Sequence, residues 1–146
     1  MKTASWIILL IVGALMVLGS LASLGVAYGS TRDQIGPASL TELAAGRPDV
    51  ATAVRARRAT AAAYAAGFAT LFLVITLVPY RRGEVWTWWA LAAGTLVLTV
   101  LILLRIPVLG IGPGEGTAST ALIQLVVVGL GLAFGAGRLR GSSPPN

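Results

Sequence analysis

The sequence predicts an all-α fold, an up-down bundle of four membrane-spanning helices with a short amphipathic helix between the first two. Three observations lead there. Four apolar stretches, at about residues 5–28, 59–80, 86–111 and 117–137, take up most of the 146 residues. Each is near the ~20 residues a helix needs to cross a ~30 Å hydrocarbon core. Hydrophobic residues make up 56% of the chain and charged residues only 11%, with a mean hydropathy of +0.85. A soluble domain carries about 25% charged residues, and one this small has no interior able to hide four such stretches. The spans are therefore expected as one transmembrane domain over residues 1–137, followed by a disordered tail, 138–146, that ends Gly-Ser-Ser-Pro-Pro-Asn.

Composition also removes whole classes of chemistry. The chain has no cysteine and no histidine. Disulfides, thiolate and imidazole metal sites, histidine general bases and Ser-His-Asp or Cys-His arrangements are excluded. No carboxylate falls inside a span, so the expectation is a protein that is not an enzyme and holds no cofactor or metal. The net charge is +6 and the pI about 11.2. Because the arginines flank apolar spans, the expected partners are anionic lipid headgroups and not nucleic acid. The arginine-rich, Ala/Gly/Val/Leu-rich composition points to a bacterial cytoplasmic membrane.

Span 1 begins after Lys2. Its apolar run from Trp6 to Tyr28 is longer than the roughly 7–15 residues of a signal-peptide core, so a retained helix is expected. Gly19, Ser23 and Ala27, and separately Gly25 and Gly29, recur every four residues, a spacing that lets a neighbouring backbone approach closely. In the connection that follows, Ser39-Leu40-Thr41-Glu42 fits a capping box, with Gly46-Arg47-Pro48 as a stop. Asp49 then reads as the N-cap of a long helix running unbroken from about Val50 to Val78. Pro79-Tyr80-Arg81-Arg82-Gly83-Glu84 ends that helix in a tight turn, and Trp86, Trp88 and Trp89 open span 3 as an interfacial belt. Pro107, after Arg105, is expected to weaken the last turn of span 3. The glycine-rich stretch Gly110–Gly116 lacks the Lys-Ser/Thr of a phosphate-binding loop and reads as a flexible connection. In span 4, Gly131 with Gly135 and Ala133 with Gly137 form two small-residue pairs. These suit packing inside the bundle or association with a second copy or another membrane protein.

Four spans put both termini on one face. Lys2, Arg81, Arg82, Arg138 and Arg140 share it; Arg32, Arg47, Arg55, Arg57, Arg58 and Arg105 share the other. The short, doubly basic turn between spans 2 and 3 carries the orientation signal best, so the termini are expected in the cytoplasm.

No ionisable residue lies near mid-bilayer. Gln124 is the most polar uncharged side chain inside a span, ~10 Å from the outer end of span 4 at ~1.5 Å per residue. The same depth along the other spans reaches Ser20, Tyr64 and Thr99, with Thr95 one turn from Thr99 on the same face. These form either a hydrogen-bonded packing layer or the floor of an outward-open cavity, roofed by the 40–43 helix and rimmed by Arg55, Arg58 and Arg105. Such a cavity suits a lipid or amphiphile with an anionic head. At the other face, Arg81, Arg82 and Trp86 are the candidate headgroup contacts.

The run Pro79-Tyr80-Arg81-Arg82-Gly83-Glu84-Val85-Trp86-Thr87-Trp88-Trp89 resembles a loop in a largely uncharacterised group of small four-span bacterial membrane proteins. There an aromatic-Arg-Arg-Gly-Glu-x-Trp turn joins helices 2 and 3, and a short amphipathic segment joins helices 1 and 2. The likeness covers about residues 35–93. It implies the four-span architecture and nothing about activity. On physical grounds Arg81 and Arg82 are expected to hold phosphate headgroups and Glu84 to sit at the helix 3 N-terminus, where the dipole favours an anion. Many members carry a histidine in the first connection, and this chain has none.

Overall fold

The computed structural model describes residues 2–29, 34–35, 38–109 and 117–138. Its elements are α1 (Lys2–Gly29), β1 (Gln34–Ile35), β2 (Ala38–Ser39), α2 (Leu40–Leu43), α3 (Pro48–Ile75), a π-helical turn (Thr76–Tyr80), α4 (Val85–Leu109), α5 (Thr117–Gly135) and a closing 3₁₀ turn (Ala136–Arg138). Four helices are long and apolar enough to cross a bilayer: Thr3–Gly29, Pro48–Tyr80, Val85–Val108 and Ala118–Gly135. The fold is therefore the all-α, four-span class expected of the sequence. Arg32, the Gly110–Gly116 connection and the tail with Arg140 lie outside the described residues.

The chain forms two compact units, Met1–Gly13 with Phe72–Asn146, and Ala14–Leu71. In the first, α4 packs along α5 and against the π-turn. The buried stripe of α4 is Thr87, Leu91, Thr95 and Thr99, at four-residue spacing, and α1 adds Ser5, Leu9 and Val12. The large apolar side chains point the other way: Leu96, Val97, Val100, Leu101 and Leu104 on α4, and Ile123, Val126, Leu130 and Phe134 on α5, are exposed. Small and hydroxylated residues inside with bulky aliphatics outside inverts the soluble pattern. Exposed aliphatic faces of this extent need lipid, which marks the chain as a multi-pass membrane protein.

The second unit contains the rest of α1, the 34–43 connection and most of α3. Gln34 pairs with Ser39 and Ile35 with Ala38 in a two-residue antiparallel ladder. That ladder leads into α2, whose capping box forms as the sequence indicates: the Glu42 amide donates to Ser39 Oγ (3.2 Å) and the Ser39 amide to Glu42 Oε2 (2.9 Å). The helix stops earlier than expected. Ala45 (φ 46°) and Gly46 (φ 77°) are both left-handed, and the Arg47 amide turns back to the Ala44 carbonyl at 2.8 Å. Asp49 is not an N-cap. Pro48 takes the first helical position, where a missing N–H costs nothing, and Asp49 sits in the first turn, where the helix dipole favours an anion.

Two prolines sit inside helical structure, the first of them against expectation. Pro79 does not end helical structure. It has no N–H for the Ile75 carbonyl, and the backbone widens into the π-turn Thr76–Tyr80, then stays helical to Arg82. Gly83, at φ 90°, makes the actual stop: its amide donates to the Tyr80 carbonyl (3.1 Å) and that of Glu84 to Pro79 (3.2 Å), the paired bonds of a Schellman turn. Pro107 is likewise carried inside α4, which continues to Leu109.

The small-residue pairs also sort differently. No neighbour lies within 4 Å of where a Cβ would stand at Gly19, Gly25 or Gly29, so these are not the close-packed seam of α1 among the described residues. Gly13 is the close approach, with Phe72 and Leu73 side chains 3.1–3.2 Å from that position. Gly131 and Gly135, considered for self-association, are buried and filled from within the molecule: Leu9 and Ile8 close on Gly131, and Tyr80 and Ser5 on Gly135.

Candidate functional site

The Arg81–Arg82 end of the first unit is built by a chain of buried polar contacts. Ser5 Oγ lies 2.7 Å from the Gly131 carbonyl and 2.5 Å from the Tyr80 hydroxyl. A serine has one proton to give, and a carbonyl can only accept. Ser5 therefore donates to Gly131, and Tyr80 donates to Ser5. Both side chains are fully buried at 0% exposure, so this relay ties α1, the π-turn and α5 together with every proton placed. Gly135 makes it possible, because a Cβ there would fall on the Tyr80 hydroxyl.

Two tryptophans add cross-braces. The Trp6 indole N–H donates to the Thr76 carbonyl at 3.0 Å, inside the π-turn where the ordinary helical ladder is interrupted. Trp88 donates to the Leu132 carbonyl at 2.9 Å, and its ring meets Trp89 edge-on with centroids 4.8 Å apart. Trp86 is instead exposed. Its indole N–H donates to Glu84 Oε2 at 2.6 Å, fixing a carboxylate just before the first residue of α4.

On this scaffold the guanidinium of Arg81 stands 5.2 Å above the centroid of the Trp6 ring, a cation–π contact that orients it. Arg81 and Arg82 are exposed and line a shallow open recess with Leu77 and Val78. Two guanidiniums thus meet two aliphatic side chains where α3 runs out. Guanidinium forks match phosphate oxygens bidentately, while Leu77 and Val78 match the start of an acyl chain.

Of the residues expected to form a polar layer, Ser20 and Tyr64 belong to the second unit and Thr95, Thr99, Arg105 and Gln124 to the first. Ser20 is buried and satisfied by its own helix, through the Met16 (2.6 Å) and Val17 (3.1 Å) carbonyls. Thr99 is buried and donates to the Thr95 carbonyl at 2.8 Å. Thr95, 1% exposed, has a buried hydroxyl oxygen with no hydrogen-bond partner among the described residues. Gln124 and Arg105 are half-buried, and Tyr64 is 78% exposed. In the second unit a groove is lined by Tyr28, Ala56, Ala59, Thr60, Ala63 and Tyr64.

Sequence reasoning passed over Ser5, Thr76 and the alanines of that groove. A signal for the first existed: Ser5 and Tyr80 put hydroxyls at the same end of consecutive antiparallel spans. Among the described residues no cluster of three or more His, Cys, Asp or Glu could hold a metal ion. Compared with known proteins, the chain matches no family model, no curated protein and no solved structure.

Proposed function

We propose that this is a non-enzymatic integral membrane protein of the bacterial cytoplasmic membrane, with its termini in the cytoplasm, that works by associating with anionic phospholipid. One observation carries the reading: the Arg81–Arg82 recess joins two phosphate-matching guanidiniums to the aliphatic side chains of Leu77 and Val78. The cross-braced helix ends beneath it supply a fixed platform, and the exposed Trp86 and Trp89 suit the same interface. Juxtamembrane arginines of this kind contribute ~1 kcal/mol each against an anionic leaflet.

The test is native mass spectrometry of the full chain from micelles containing phosphatidylglycerol and phosphatidylcholine in equal amounts. The wild type retains phosphatidylglycerol preferentially. R81Q/R82Q, both at exposed positions, lowers that retention about tenfold, the equivalent of ~1.4 kcal/mol. Equal retention of the two lipids by the wild type sinks the reading, and a second protein retained at fixed stoichiometry in place of lipid redirects it to subunit association. Orientation is tested separately. In a chain without native cysteine, R82C should resist an impermeant maleimide in intact cells while T41C reacts; the opposite pattern reverses the topology.

A second reading, binding or carriage of an amphiphile from the outer leaflet, is favoured by the Tyr28–Tyr64 groove.

A further inference from the structure

The groove-lining residues of α3 are Ala56, Ala59, Thr60, Ala63 and Tyr64, spaced by three and four, so they form one helix face. Tyr28, near the end of α1, completes the lining. The floor is made of methyl groups. The single hydroxyl among them, on Thr60, is already spent on the Ala56 carbonyl at 3.0 Å. Tyr28 and Tyr64, each 78% exposed, stand as two aromatic walls. A trough of alanine between two tyrosine rings offers an apolar bed to a methylene chain.

The end of α1 places this trough. Tyr28 is the last residue but one of α1, whose 28 residues reach ~42 Å at ~1.5 Å per residue, about a bilayer with its headgroup regions. The groove therefore sits at a membrane boundary, the level at which tyrosines are enriched. On α3, Arg55 lies ~7 Å beyond Thr60, at headgroup depth. It belongs to the same stripe as Ala59 and Ala63, at spacings of four.

Arg55 supplies the second observation. Its Nε is buried and has no hydrogen-bond partner among the described residues. A buried donor left unsatisfied is costly, and it is met where something else completes the site. The neighbourhood favours an anion: Arg47, Arg55, Arg57 and Arg58 stand against only Glu42 and Asp49 between residues 40 and 64. Glu42 is itself engaged by Ser39.

We infer that the Tyr28–Tyr64 groove is a binding site for one anionic glycerophospholipid of the outer leaflet, with an acyl chain along Ala56, Ala59 and Ala63 and its phosphate on Arg55. The site shares no residue with the Arg81–Arg82 recess, and only its assignment to the outer leaflet rests on the proposed orientation. Free phosphate fits less well, because it leaves the apolar trough empty.

The experiment titrates phosphatidylglycerol onto the full-length R81Q/R82Q chain in detergent, so that the other recess is silent, and reads bound lipid by native mass spectrometry. On that background R55Q should weaken the first binding step about tenfold, the loss of one charge-assisted hydrogen bond. A63F, which places a ring in the trough from an exposed position, should weaken it at least as much. R57Q, at an exposed position on another face, should change it less than twofold. R55Q and A63F binding as tightly as the background would overturn the inference. So would displacement of the lipid by an equal concentration of inorganic phosphate, which would mean that only the charge is read. Should A63F fail to fold, R55Q alone decides. Loss of lipid preference in R81Q/R82Q with the R55-dependent step intact separates this site from the other.

Discussion

Threonines in both units turn back to their own helix, and the units differ in what the other polar side chains do. In the unit containing the Arg81 end, serine, tyrosine and tryptophan side chains reach between elements: Tyr80 to Ser5, Ser5 to Gly131, Trp6 to Thr76 and Trp88 to Leu132. In the Ala14–Leu71 unit, Ser20, Thr52, Thr60 and Thr70 each turn back to a carbonyl one turn earlier in their own helix. The first arrangement fixes helices relative to one another and makes a rigid platform. The second satisfies each hydroxyl without binding anything else, and leaves a helix face of methyl groups.

The largest effect that can break this contrast is at Gly135. A leucine there must displace both Tyr80 and Ser5, combining overpacking with a broken buried relay, and should cost about 3–5 kcal/mol. Thermal unfolding in detergent should show G135L losing the folded monomer, with G131L next in severity. A variant that keeps its unfolding midpoint and changes only oligomer size would return these glycines to a surface role and remove the platform. The open glycines are the control: G19A and G25A add a methyl into unoccupied space and replace a helix-interior glycine, so they should be neutral or stabilising by up to ~1 kcal/mol.

The relay itself comes second. S5A takes the Ser5 acceptor from the fully buried Tyr80 hydroxyl and cuts the tie to the Gly131 carbonyl, and should cost about 1–3 kcal/mol. Y80F removes only the donor, since Ser5 keeps its bond to Gly131, and should cost ~1 kcal/mol. The assigned proton order predicts this asymmetry, and the double variant should be less damaged than the sum. Equal single costs with additive behaviour would mean that the two hydroxyls do not share a bond.

The four spans and the capping box were legible because each has a local cause: apolar length and a Ser-x-x-Glu spacing. The buried faces were not. In a bilayer both sides of a helix are apolar, so the periodicity that marks a soluble helix's core side is nearly erased. Gly131 is enclosed while Gly129 and Gly137 meet nothing within 4 Å, although all three read alike in the sequence. Pro79 misled for a different reason. Losing one donor ends a helix in water, whereas in lipid the chain widens into a π-turn and keeps its remaining carbonyls satisfied. The Arg81, Arg82 and Trp86 contacts were named from their positions alone. The cation–π contact that orients Arg81 depends on Trp6, 75 residues away, and no local pattern reports it.

The smallest expected effect lies at the start of α2, outside the spans. Glu42 accepts from the Ser39 amide and from the Ser39 hydroxyl, and both bonds favour the charged carboxylate, holding its pKa below the usual glutamate range, the backbone bond more strongly. The group is fully exposed, so the effect is local to the turn. A depressed carboxylate contributes stability that is present above its unfolded pKa and lost as pH falls through the lower folded value. Amide hydrogen exchange at Ser39 and Glu42 should therefore show constant protection from neutral pH down to the ordinary carboxylate range, once the intrinsic rate is corrected for. Protection should fade below that range. E42Q keeps an acceptor without the charge, so it should flatten the profile and retain part of the protection. Protection that instead rises on acidification, in the wild type alone, would mean that Glu42 is held protonated and that the capping box is not what starts α2.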